Sequence, residues 1–152
     1  MKNFTHKGMT VIEVIVVVAV VGLLVALVLP QFNKLRENQT LKTAAEDVLT
    51  ALGKARGQTL SSLNSSAYGV HFQSDKVVIF KGQNYSAAAP DNENISLISP
   101  ATISDISFSG AGSDIYFERL TGAPSAYGSI TITSGANTKI ITISATGNAS
   151  AN

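Results

Sequence analysis

KGMTVIEVIVVVAVVGLLVALVLPQF, residues 7–32, decides what kind of chain this is. From Met9 to Leu29 only Thr10 and Glu13 are polar. At about 1.5 Å per residue, a helix over this run is about 30 Å long, the thickness of one bilayer core. A secretory signal peptide has a shorter apolar core with small residues at a cut site beyond it, and VLPQFNKL, residues 28–35, lacks that pattern. A buried helix of a soluble protein seldom carries so unbroken a stretch. The run is read as a transmembrane helix over residues 9–30, leaving 31–152 as one small soluble domain. Lys2 and Lys7 flank one end and Lys34 and Arg36 the other, so flanking charge leaves the orientation open.

Glu13 is the anomaly in the run. An ionised side chain inside a membrane is costly. Glu13 lies about one turn inside the end, where it can snorkel to the headgroups. Alternatively it finds a cation within the membrane. A free α-amino group, cationic near neutral pH, would serve. That requires a new N-terminus close to Glu13.

The same residues resemble the N-terminal segment of type IV pilins and type II secretion pseudopilins. A short basic leader ends in Gly8, an apolar Met9 follows, and Glu13 is fifth after the cut. Gly22, Pro30, Gln31 and Phe32 match as well. The family usually has phenylalanine where this chain has Met9, a replacement that stays apolar. The resemblance implies a leader peptide over residues 1–8, cleaved between Gly8 and Met9 by prepilin peptidase, and N-methylation of Met9. It implies a single pass through the bacterial inner membrane, with the soluble part on the outer side, periplasmic or extracellular. It also implies that Glu13 neutralises the terminal amine of a neighbouring subunit as a filament assembles. A lone charge in hydrocarbon is penalised, and a pair much less so. Gly22 and Pro30 bound a segment that, by the resemblance, unwinds when subunits pack. The residues alone give a kink near Pro30, which has no N–H and clashes with the carbonyl of Ala26. The implied partners are other pilin or pseudopilin subunits, the peptidase, an inner-membrane assembly platform and membrane lipid.

Beyond Pro30 the helix is expected to continue to about residue 63. Phe32, Leu35, Leu41, Ala45, Val48, Leu49, Leu52, Ala55, Thr59, Leu60 and Leu63 recur at three- and four-residue steps, an amphipathic stripe. Gly53 and Gly57 weaken it, and NSSAYG, residues 64–69, ends it. The second half reads as strands. AYGVHF and KVVIFKG form a hairpin, residues 83–100 a long loop with Pro90 and Pro100, and ISDISFSG, DIYFER, SITIT and KIITIS complete the set. The expected fold class is α+β and pilin-like: a long N-terminal helix, half transmembrane and half amphipathic, its Leu41–Leu63 face on one antiparallel β-sheet.

LTALGKARGQTL, residues 49–60, followed by a hairpin resembles the GspH and FimT group of minor pseudopilins and minor pilins. Ala55 and Arg56 on the helix and Gly147 after the last strand carry that likeness. The chain has no tryptophan, which sets it apart from the major pseudopilin, and no cysteine for a pilin-type disulfide. No G-x-S-x-G, H-E-x-x-H, G-x-G-x-x-G or P-loop occurs, so an enzyme is not expected, nor a cofactor. His71 stands alone in a strand. PDNEN, residues 90–94, offers Asp91 and Glu93 without the ordered spacing of a calcium loop, and no metal site is assigned. The leading function is a structural minor subunit of a secretion pseudopilus or type IV pilus. The alternative is a minor pilin binding DNA for uptake. No Lys or Arg follows Lys139, and phosphate contacts need such charge, so nucleic acid is disfavoured as a partner.

Overall fold

A computed structural model describes residues 8–110 and 112–152, apart from the side chains of Leu29 and Pro30. Of the leader proposed for residues 1–8, all but Gly8 lies outside the described residues. One helix, α1 (Val11–Leu60), is followed by eight strands: β1 (Tyr68–Phe72), β2 (Lys76–Lys81), β3 (Glu93–Ser96), β4 (Thr102–Phe108), β5 (Asp114–Tyr116), β6 (Gly128–Ser134), β7 (Asn137–Ile143) and β8 (Ala149–Ala151). The chain divides into two units, one ending at Arg36 and the other spanning Glu37–Asn152. In the first, α1 is helical through Gly22 and Pro30 without a break.

In the second unit, the later turns of α1 lie on strands as the stripe requires. Leu41, Ala45, Val48, Leu52, Ala55 and Thr59 are buried, joined by Ala44 and Ala51. Four of the buried residues on this face are alanines, which keep it narrow. Phe32 and Leu35, read as part of the stripe, are 63 % and 65 % exposed. The helix stops at Leu60, three residues short of the expected end, and a 3-10 turn covers Leu63–Ser65. Leu60 and Leu63 are exposed and not part of the sheet-facing surface.

The single expected sheet is in fact two, both antiparallel. One has the order β3-β2-β1-β5 and the other β4-β6-β7-β8. The hairpins β1–β2 and β6–β7 form as the alternation predicts, the second turning on Gly135 and Ala136. They fall in different sheets because the segment between them contributes to each. Residues 93–96, inside the expected loop, form β3 and pair with β2. Four polar-flanked residues, ENIS, are too short to show a period. The SATGNASAN tail likewise ends in a strand, β8, beside β7. Both sheets share one core with α1: Val70, Phe72, Ile79 and Ile115 from the first, with Phe117 just past β5, and Ile130, Ile132, Ile141 and Ile143 from the second.

Buried polar groups tie the layers. Thr59 is fully buried, and its hydroxyl donates to Ala55 O at 2.9 Å while accepting from the Tyr68 N–H at 2.9 Å. Thr40 and Ser134 join their hydroxyls at 3.1 Å, linking α1 to β6. Arg56 makes the widest tie. Its Nε donates to Gly122 O at 3.1 Å, and its two terminal nitrogens donate to Thr146 O at 3.2 Å and Asn148 Oδ1 at 3.3 Å. Gly147 sits in this clamp at φ +81°, where a Cβ would lie 2.5 Å from Gly122 O and 3.0 Å from Arg56 Nε. Burial pushes the Asp47 carboxyl above its ordinary 3.8, with Glu46 beside it adding to the rise.

Arg56→Ala removes a hydrogen bond to the part-buried Gly122 carbonyl and two exposed ones, and is expected to cost about 1 kcal/mol; Gly147→Ala is expected to cost at least about 1–3 kcal/mol from backbone strain alone. Both are measured by denaturant unfolding of the full chain in detergent. Asp47 holds its proton more tightly folded than unfolded, so its contribution is greatest below pH 3.8 and is lost as pH rises through the folded value. Asp47→Asn should therefore melt higher than the parent chain at pH 7, with the two melting curves converging below pH 3.8. A pH-independent difference would contradict the assignment.

Candidate functional site

The start of α1 is built by Thr10. Its hydroxyl accepts from the Glu13 N–H at 3.3 Å, and its carbonyl accepts from the Val14 N–H at 3.2 Å. Thr10 is thus the N-cap, and Glu13 is the third helical residue, the spacing of a capping box. An acidic side chain there also faces the partial positive charge of the helix start. The T-x-x-E spacing of Thr10 and Glu13 is the sequence signal for this cap. Gly8 and Met9 precede the helix, so the bond between them lies just outside the first turn. Glu13 is exposed, and among the described residues no cation pairs with it.

From Met9 to Val28 every side chain is exposed, although nearly all are apolar. The helix is long and apolar enough to cross a membrane, and none of its most apolar window is buried by the chain itself. Gly22 lies within it, with open space where a Cβ would be.

Other residues singled out from the sequence have local partners. His71 is not alone: its Nδ1 meets the Asp114 carboxylate directly across β1 and β5. Its ring stacks on Tyr85, with centroids 3.8 Å apart and planes 7° from parallel. Tyr85 also packs edge-on against Phe80, so the segment after β2 covers the outer face of its sheet. Glu93 is held by Lys54 at 2.5 and 2.7 Å, and Asp91 approaches Lys81 at 3.9 Å. These carboxylates are turned to lysines. Among the described residues no group of three or more His, Cys, Asp or Glu side chains could hold a metal ion.

The model of one family, type II transport protein GspH, matches residues 44–147. The matched span runs from the buried face of α1 through both sheets, and contains both Arg56 and Gly147, the two ends of the clamp. The apolar run before residue 44 lies outside it. No solved structure matches the chain. A match over most of the domain, on a long helix packed against antiparallel sheets, establishes the relationship: the chain belongs to the GspH family of type II secretion pseudopilins.

Proposed function

We propose that this chain is a minor structural subunit of a type II secretion pseudopilus or type IV pilus, anchored once in the bacterial inner membrane with its domain on the outer side. Prepilin peptidase removes residues 1–8 by cutting between Gly8 and Met9, and the Met9 amine is methylated. The observation that carries this reading is the capped helix start: Thr10 begins α1 two residues after the proposed cut, with an exposed Glu13 one turn in. Cleavage would leave a cationic amine at Met9, since methylation preserves the charge.

The charges explain assembly. Removing Lys2 and Lys7 changes the Lys and Arg count from 11 to 9 against 10 acidic residues, a mature charge of 9 − 10 = −1. In the membrane, Glu13 of one subunit is neutralised by the Met9 amine of the next, which sets the stacking register. Two unpaired charges in hydrocarbon are far costlier than a pair. The exposed valine-rich surface supplies the lateral contact through lipid-like packing. The segment from Gly22 to Pro30 is the place where helix can be surrendered as neighbours close in, because Pro30 already lacks one donor.

Mass spectrometry of the chain recovered from its native host should show a mature N-terminus at Met9 carrying one methyl group. Glu13→Ala should insert into the membrane normally yet enter filaments roughly tenfold less or worse, the loss of about 1.4 kcal/mol or more. An intact Met1 or undiminished incorporation of Glu13→Ala would overturn the proposal.

A further inference from the structure

Each of the two sheets has two edges, and three of the four edges are blunted. At β5 the chain after Ala123 takes up the free backbone groups of Tyr116: the Ser125 N–H donates to the Tyr116 carbonyl at 2.8 Å, and the Tyr116 N–H donates to Ser125 Oγ at 3.1 Å. β4 is broken by a bulge between Ile103 and Asp105, and the Ile103 N–H donates to Ser74 O at 2.9 Å. β3 begins at Glu93, which Lys54 holds in an ion pair. Charges, bulges and covering segments are the usual devices that keep a sheet edge from pairing with another chain. β8 is Ala149, Ser150 and Ala151 at the edge of the second sheet, and it carries none of these devices. Its register is fixed by its bonds to β7. The Ser144 N–H donates to the Asn148 carbonyl at 2.9 Å, and Ile140 and Asn152 exchange both bonds, at 3.3 and 2.9 Å. Such exchanges fall on alternate residues of an antiparallel pair, so residues 148, 150 and 152 turn their backbone groups toward β7. Ala149 and Ala151 therefore point their N–H and C=O groups away from it. Among the described residues nothing bonds to these four groups. Both alanines are half-buried, and backbone groups left unpaired away from water are costly.

There is room for a further strand. Ala149 lines a groove of about 430 Å³ whose other wall is α1. The helix presents Gly53 and Gly57 there, and a Cβ at either would meet no atom within 4 Å. Arg56 is the charged residue lining the groove, and it is engaged by Gly122, Thr146 and Asn148. An added strand lies about 4.8 Å from its neighbour, and bare helix backbone leaves space for its inward side chains. We propose that β8 is a strand-addition site: it receives an extended, uncharged segment of another protein, which pairs with the backbone of Ala149 and Ala151 and turns small apolar side chains toward Gly53 and Gly57. Main-chain donors and acceptors supply the attraction, and alternate side chains select the sequence. The segment is uncharged because β8 offers no charge to meet one. The inference stands on the domain alone and does not use the subunit reading given above.

The full chain, isotopically labelled at its alanine nitrogens and held in detergent micelles, would be titrated with acetylated and amidated hexapeptides in which threonine alternates with alanine, valine or leucine. The Ala149 and Ala151 amide signals should shift and become protected from hydrogen exchange with at least one of these peptides. N-methylating the peptide donors that face β8 should weaken binding at least about tenfold. Ala151→Pro removes one outward N–H at an edge position, where proline is tolerated. It should weaken binding at least about tenfold while the melting temperature holds. Asn94→Pro, on the β3 edge, should leave binding unchanged. The proposal is overturned by no saturable shift with any peptide, by an equal loss with Asn94→Pro, or by indifference to N-methylation. Dimers that form without peptide and that Ala151→Pro dissolves would overturn it in favour of self-pairing. Should Ala151→Pro unfold the chain, the N-methylated peptides decide.

Discussion

Ala44, Ala45, Ala51 and Ala55 are buried in one core with residues of both sheets, and the domain is organised around that small-residue face of α1. A helix face of larger residues would stand off from the strands and leave voids between layers, which protein interiors do not tolerate. Val48 and Leu52 join Val70, Phe72, Ile130 and Ile141 in that core. Each such side chain, fully buried, contributes about 1.5–3 kcal/mol. With no disulfide available, this packing and the few buried hydrogen bonds at Thr59 and Thr40 hold the domain together.

Arg56 complements the packing at the far end of the helix. One planar side chain gathers the 118–122 turn and the 144–148 turn, segments that no strand pairing joins to α1. Lysine would supply a charge without the fork geometry that reaches several acceptors at once. Gly147 is required beside it because the guanidinium and the Gly122 carbonyl occupy the place of any side chain. The family likeness carried by Arg56 and Gly147 thus has a physical content: they are the two halves of one contact.

The same helix serves two solvents. Its first turns present valine and leucine on every side, which only hydrocarbon or other apolar helices can cover. Its later turns present apolar residues on one face, which suits a sheet on one side and water on the other. Between these, Phe32 and Leu35 continue the apolar spacing yet remain exposed. Periodicity records which face is apolar. It does not record how far along the helix a sheet reaches to cover it.

The sequence by itself determined the long helix, its unbroken apolar run, the position of Glu13 near the helix start, and the hairpins β1–β2 and β6–β7. Each is written in local chemistry: an unbroken apolar run, a fixed spacing of a few residues, or strict alternation across a short turn. The T-x-x-E cap was equally local. Only the tertiary structure decided that the strands divide into two sheets, that ENIS and ASA are strands, and that His71 has Asp114 and Tyr85 for company. Those outcomes depend on pairing between segments far apart in the chain, where short polar strands carry no period and a partner's identity is set by which edge the fold leaves open.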